Sequence, residues 1–213
     1  MRRTAAAGAL VVLAVAGCGR GSGPGSASSA ATTTRAAPRA LAAQAEPPAE
    51  LPHDWVRVVD ARAGFSFGVP AGWRAHRTAV GMLVRSADGA LAVSVSYDHG
   101  GQGRTLPPRP YASRTASSLQ GYRNLHVGPA HRVPRERHPT ATVQARGVFL
   151  KTHVRQAILV ITVAHPGRGT FAVLAFRSAR TRAIRYAPEL SELVRTLRTR
   201  ALRRSPHRSG RSG

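Results

Sequence analysis

The sequence predicts an α+β fold in which helices pack on an antiparallel sheet. Three observations support this class. Short stretches of alternating apolar residues recur along the chain, hairpin signals such as Asp88-Gly89 and Pro166-Gly167 separate several of them, and two amphipathic patterns have helical spacing. The order of the patterns is β-β-β-β-α-β-β-β-α, and strands joined by hairpins form antiparallel sheets.

Four strands are expected in the first half of the domain, at residues 55–60, 64–70, 81–86 and 91–98. The last of these is the most regular, because its apolar side chains occupy one face and alanine or serine the other. Alternation of this kind is typical of a strand with one buried face. The residues on the apolar face are Leu91, Val93, Val95 and Tyr97.

In the second half of the domain the patterns predict a helix over 111–122, three longer strands at 140–151, 154–165 and 169–178, and a closing helix over 188–198. The closing helix places four apolar side chains on one face, carries acids in its first turn and has arginines near its end. That charge distribution suits the helix dipole. The apolar residues are Leu190, Leu193, Val194 and Leu197.

The first 17 residues have the form of a signal peptide, with two arginines followed by a short apolar run. Val15-Ala16-Gly17-Cys18 resembles the lipobox of bacterial lipoproteins, in which the cysteine is acylated and becomes the mature N-terminus. Cys18 is the only cysteine of the chain, so no disulfide can form within it. The segment from Cys18 to residue 50 is rich in Gly, Ser, Ala, Thr and Pro and is expected to be a disordered linker.

The predicted domain covers residues 51–198, and residues 199–213 are expected to form a disordered basic tail. The whole chain has a formal net charge of +23, which in a cytosolic protein would indicate nucleic acid. An exported protein instead meets anionic lipid head groups and wall polymers, and nucleic acid is not expected as a partner. The tail arginines expected to contact such anionic surfaces are Arg200, Arg203, Arg204, Arg208 and Arg211.

The stretch "GFSFGVPAGW" at residues 64–73 carries a resemblance to a known family. A strand of this kind near the domain start, several hairpin strands and a closing amphipathic helix resemble the PsbP-like lipoproteins of actinobacteria, of the LpqN type. The resemblance implies an α/β/α sandwich on an antiparallel sheet and a non-catalytic domain. Within the stretch, Phe65, Phe67, Pro70 and Trp73 are expected to be structural anchors, with Trp73 as a lid on the core.

Few residues suggest catalysis. Asp98-His99-Gly100-Gly101 is similar to the oxyanion loop of some esterases, but the Gly-x-Ser-x-Gly nucleophile elbow is missing from the sequence. A hydrolase would therefore have to use His99 with a serine such as Ser113 or Ser117. The histidines lack metal-ligand spacing, so no metal and no cofactor are expected.

These observations predict a non-enzymatic lipoprotein of the cell envelope, tethered to the outer face of the cell membrane. Its domain would bind a protein or another envelope component. Two alternatives remain open from the sequence: a secreted serine hydrolase, and a purely structural protein at the boundary between membrane and wall. The arginine-rich, lysine-poor composition indicates a GC-rich bacterial genome.

Overall fold

The computed structural model describes residues 47–134, 136–179, 181 and 183–199. No helix in this part of the chain has the length and apolarity needed to span a bilayer. The elements, in chain order, are β1 Trp55–Asp60, β2 Phe65–Pro70, β3 Arg74–Thr78, β4 Gly81–Arg85, β5 Leu91–Asp98, α1 Gly101–Thr105, α2 Pro108–Ser117, β6 Tyr122–Val133, β7 Thr140–Phe149, β8 Val154–His165, β9 Gly169–Ser178, a 3-10 turn Ala183–Tyr186, α3 Ala187–Arg195 and β10 Arg198–Thr199.

The main sheet is antiparallel, with seven strands in the order β3-β4-β5-β9-β8-β7-β6. Consecutive strands are neighbours in the sheet except β5 and β6, which are joined through α1 and α2; β6 lies at the far edge, and β9 pairs with β5. Residues directly opposite each other share a face, so the register assigns every side chain of the sheet to one of two surfaces. The α+β class predicted from the sequence is confirmed.

An upper layer covers one face of this sheet. It consists of a small sheet, in the order β1-β2-β10, together with α3. Phe65, Phe67 and Val69 alternate along β2 and are fully buried, and the Phe65 ring meets Phe171 of β9 edge to face at 5.7 Å between centroids. Since Thr196 accepts a hydrogen bond from the Gly68 amide at 2.9 Å, the end of α3 is fixed to β2.

A lower layer, α2, covers the opposite face over β6, β7 and β8. The helix approaches closely because the contact consists of small side chains, with Ala112 and Ala116 facing Ala141 and Ala145. Thr162 of β8 donates a hydrogen bond to the carbonyl of Pro108 at 2.9 Å and ties the first turn of the helix to the sheet. The chain is therefore a three-layered sandwich.

Two strands of the main sheet were missed in the sequence. β3 has the sequence RAHRT and is almost wholly exposed, and β6 contains Gly128, Pro129 and several arginines and histidines. Both lie at edges of the sheet, where one side of the strand has no ladder partner and charged residues are tolerated. The helix expected over 111–122 begins earlier, at Pro108, and ends at Ser117, because the chain from Tyr122 enters β6.

Residues just outside the predicted bounds 51–198 also contact the folded domain. Ala49 and Glu50 were assigned to the linker, yet Ala49 is buried, its carbonyl accepts from Arg57, and the Glu50 carbonyl accepts from Arg195 at 3.2 Å. At the other end Thr199 was assigned to the tail, but it pairs with Phe65 in the small sheet. In each case backbone hydrogen-bonding groups next to the core find partners on it.

Asp88 connects the β4–β5 hairpin to the start of α3. Its carboxylate accepts hydrogen bonds from Tyr186 at 2.6 Å and Ser86 at 2.7 Å, and Arg185 lies 2.8 Å away. The hydrogen bonds from Tyr186, from Ser86 and from the Ala90 amide lower the pKa of Asp88 from its ordinary 3.8 to about 2.

The stabilisation by Asp88 should depend on pH. A carboxyl whose pKa is lowered on folding stabilises the fold fully above its ordinary pKa, and this contribution is lost as the pH falls through the lowered value. We expect Asp88→Asn to remove the part of the acid destabilisation that develops between pH 3.8 and about 2. Thermal melts of the unsubstituted protein and of Asp88→Asn across this range measure the effect. An equal fall of the melting temperature with pH in both proteins would contradict this expectation.

The aromatic anchors should differ in energetic weight. Phe67 is fully buried, so Phe67→Ala should cost about 4 kcal/mol, whereas Trp73 is half-buried against Tyr186 and Trp73→Ala should cost about 2 kcal/mol. Denaturant unfolding measures both, with Val80→Ala, an exposed position, as the near-neutral control. A larger loss for Trp73→Ala than for Phe67→Ala would overturn this ranking.

Candidate ligand-binding site

The upper layer covers only part of its face of the main sheet. One cross-strand row shows this directly, running from Val93 on β5 through Ala175 and Leu159 to Gln144 on β7. Val93 and Ala175 are buried, Leu159 is half-buried and Gln144 is exposed. We call the uncovered part the open sheet face; it carries His126, His131, Thr142, Gln144, Arg146 and Ala157.

The next row across the sheet concentrates positive charge. His126, Arg146, Ala157 and Arg177 lie directly opposite one another on β6, β7, β8 and β9. Adjacent strands are about 4.8 Å apart, so the two arginines stand roughly 10 Å apart at their Cα atoms with only a methyl group between them. The row is thus a pair of long cationic side chains that flank a small residue.

Two β-bulges bring both histidines to this face. The pairing of β6 with β7 shifts between Arg123 and His126 and again between Val127 and Ala130. At the second shift Gly128 and Pro129 lie opposite the single residue Gln144. In a regular strand His126 and His131, five residues apart, would point to opposite faces; the inserted residue places both on the open one. Gly128 also permits a close approach, since a Cβ there would lie 3.2 Å from the Gln144 carbonyl oxygen.

A hollow of about 500 Å³ lies over the open sheet face, and Arg177 forms part of its wall. A narrower crevice of about 100 Å³ under α3 shares Gln144, Ala157 and Arg177 with the hollow, and its other lining residues are mostly apolar, among them Leu91 and Leu190. None of the described residues that line the hollow is acidic. The hollow therefore combines a basic floor with a small apolar recess.

The arginines of the row are not neutralised within the described chain. Arg177 donates to the carbonyl of Thr181, which orients its guanidinium, and no ion pair of Arg146 or Arg177 occurs among the described residues. Two unit charges about 10 Å apart repel each other by only about 0.4 kcal/mol in water. The fold tolerates this arrangement at little cost, and the positive potential remains available to a ligand.

A second groove, of about 590 Å³, lies on the other face between α2 and β6. Prolines dominate its lining, with Pro107, Pro108 and Pro110 on the helix side and Pro129 and Pro139 opposite. Ser113 contributes a hydroxyl and lies at half exposure. No described residue of the groove is an acid or a histidine that could activate this serine.

The glycine-rich loop after β5 is held by hydrogen bonds from and to the side chains of Asp98, Tyr111 and Thr170. The Asp98 carboxylate accepts hydrogen bonds from the Gly100 amide at 2.8 Å and from Tyr111 at 3.2 Å, and Thr170 donates to the Gly103 carbonyl at 2.7 Å. His99 is exposed and stacks on Tyr97. None of the described contacts joins His99 to Ser113 or Ser117, and Ser117 is exposed on α2. The geometry favours a structural loop over an oxyanion site.

Two further described histidines stack on each other. His138 stacks on the buried His165 at 4.0 Å between ring centroids, and His165 in turn meets Phe171 edge to face. No group of three His, Cys, Asp or Glu side chains that could hold a metal occurs in the described part of the chain.

The structure describes four of the site residues predicted from the sequence. Phe65 and Phe67 belong to the core, Pro70 ends β2, and Trp73 covers the core at half exposure. Cys18 and the tail arginines Arg200, Arg203, Arg204, Arg208 and Arg211 lie outside the described residues.

The open sheet face was not predicted as a site. Its residues fall within two expected strands and one missed strand, and nothing in the sequence says which face of a strand stays uncovered. One signal was present: residues 99–188 contain fourteen arginines and one lysine but a single acid, Glu136. That imbalance could have located a basic surface in the second half of the domain.

No family model matches the chain, and none of the curated proteins matches it either. Three solved structures are similar in fold. The cyanobacterial PsbP, CyanoP, of Synechocystis sp. PCC 6803 is 14% identical over 68% of this chain and 92% of its own, with a TM-score of 0.47. A protein of Bacteroides thetaiotaomicron is 16% identical over 68% and 48%, also at 0.47. The Ran-binding protein Mog1p of Saccharomyces cerevisiae is 10% identical over 70% and 95%, with the same score.

The glycine-rich loop provides a matched pair of substitutions. A Cβ at Gly103 would lie 2.1 Å from the Asp98 carbonyl oxygen, whereas one at Gly101 would meet nothing within 4 Å. We therefore expect Gly103→Ala to destabilise the domain by about 2 kcal/mol or more, because a backbone atom must move, and Gly101→Ala to be near neutral. Equal thermal stability of the two variants would contradict the structural role of this loop.

Proposed function

We propose that this chain is a non-enzymatic binding protein tethered by a lipid to the outer face of a bacterial cell membrane. The observation that carries the binding role is the open sheet face, a basic hollow on a folded domain. The tether rests on the sequence, where Cys18 follows a signal-like segment and three small or aliphatic residues. A purely structural role would not require a basic hollow of this kind on the surface of the domain.

The tether and the hollow would work together. Cys18 and residue 51 are separated by 32 residues, a length of chain that reaches at most about 110 Å. A domain held at this range meets the envelope at high local concentration. Ligands that are anionic, such as lipid head groups and wall polymers, would be attracted to the hollow and to the tail arginines.

A non-catalytic role is supported by how the polar groups are used. Asp98, the acid of the glycine-rich loop, accepts hydrogen bonds from the Gly100 amide and from Tyr111, and none of the described contacts joins His99 to Ser113 or Ser117. General acid–base chemistry needs a positioned carboxylate or histidine within reach of the reacting group. Binding needs only shape and complementary charge.

Membrane attachment is tested with Cys18→Ser. We expect the variant to leave the membrane fraction or to remain unprocessed, because acyl chains supply the anchor at about 0.8 kcal/mol per buried methylene. Cell fractionation, mass spectrometry of the N-terminus and incorporation of a labelled fatty acid measure the effect, with Ser26→Ala in the linker as control. A shortened, processed Cys18→Ser protein that stays in the membrane would refute lipidation.

A further inference from the structure

We propose that the row His126–Arg146–Ala157–Arg177 on the open sheet face binds a phosphate ester, held in the gap above Ala157. This inference deepens the proposed binding role, on which it rests, by naming the site and the class of ligand. Three features of the row support this proposal: the arginine side chains on each flank, the space between them, and the number of hydrogen-bond donors around that space.

The space between the arginines is defined by Ala157. Ala157 is directly opposite Arg146 on one side and Arg177 on the other, and all three line the same hollow. Arginine side chains are long enough to reach towards each other across a methyl group. An anion seated over Ala157 would therefore contact both guanidiniums.

The arginines are prepared for an anion. Arg177 is oriented by the Thr181 carbonyl, and Arg146 is exposed with no ion pair among the described residues. No described acid lines the hollow, so an incoming anion displaces no internal counter-charge. The positive charge of the row is therefore complementary to an anionic ligand and is not neutralised by a described acid.

The number of donors distinguishes phosphate from carboxylate. A carboxylate has two oxygens in one plane, which a single arginine fork satisfies. A phosphate ester has two or three unesterified oxygens that point in different directions. It can accept from Arg146 and Arg177 together, with His126 next to Arg146 as a further donor and Gln144 in the adjacent row. Three or more donors around one gap suit the phosphate.

The test is a titration of the full chain in a neutral sugar detergent with inorganic phosphate, glycerol 3-phosphate and glycerophosphoglycerol. Carbon-13 labelling of the alanine methyl groups gives a local signal, because the Ala157 methyl group lies in the gap. Its resonance is assigned as the one that is missing from the spectrum of Ala157→Leu. We expect all three ligands to shift the Ala157 methyl resonance and acetate at equal concentration to leave it in place. Tighter binding of the diester, glycerophosphoglycerol, indicates that the natural ligand is a lipid head group or a polymer. Tighter binding of the monoester, glycerol 3-phosphate, indicates that it is a free phosphate ester.

Two variants separate the site from general electrostatic attraction. Arg146→Gln should weaken phosphate binding at least about tenfold, as loss of a charge-assisted hydrogen bond does. Arg74→Gln removes the same charge from β3, at the opposite edge of the sheet, and should change the affinity little. Ala157→Leu keeps every charge but fills the gap, and it should weaken binding as strongly as Arg146→Gln, measured by calorimetry.

Several outcomes would overturn the proposal: no shift of Ala157 with any phosphate compound, equal losses in Arg146→Gln and Arg74→Gln, or unchanged affinity in folded Ala157→Leu. Thermal melts establish that each variant is folded. The failure of the tether is a separate result, because it appears in the fractionation of Cys18→Ser and does not affect a titration in detergent.

Discussion

The fold depends on the packing of β2 against the centre of the main sheet. Phe65, Phe67 and Val69 are buried between the two sheets, and Phe65 meets Phe171 on β9. Burying two phenyl rings and a valine side chain contributes several kcal/mol. This contact decides where the upper layer lies. Once β2 is centred near β5 and β9, α3 beside it reaches only as far as Leu159, and the sheet beyond it stays open.

Much of the fold follows from local patterns in the sequence. Strands with one buried face, such as β5, have alternating apolar residues, and α3 has its apolar residues at helical spacing, so both could be predicted. The edge strands β3 and β6 could not, because their side chains face solvent and carry no apolar period. β10 has two residues, and its pairing with β2 depends on where α3 ends. Such an element exists only because of tertiary contacts.

The candidate site was harder to predict than the fold. His126 and His131 share a face only because Gly128 and Pro129 form a bulge. If β6 is assumed to alternate regularly, the sequence places the two histidines on opposite faces of the sheet. Arg146 and Arg177 are 31 residues apart in sequence and meet through the insertion of β8 between their strands. The anchors Phe65, Phe67, Pro70 and Trp73 could be predicted because their roles depend on a single strand and the turn that ends it.

Four acids of the domain hold structural positions away from the open sheet face. Asp60 caps the turn after β1 and pairs with Arg77, Asp88 binds Tyr186 and Arg185, Asp98 orders the loop before α1, and Glu192 pairs with Arg195. Each of these carboxylates serves a turn, a loop or a helix, and none of those described lines the hollow. A surface selected only for solubility would mix both signs of charge. Here four acids hold a turn, a hairpin, a loop and a helix, and in the region that the upper layer leaves uncovered Arg146 and Arg177 have no ion pair among the described residues. Incomplete coverage and unpaired arginines thus coincide on the same strands, which is the physical basis for proposing that this face binds an anionic ligand.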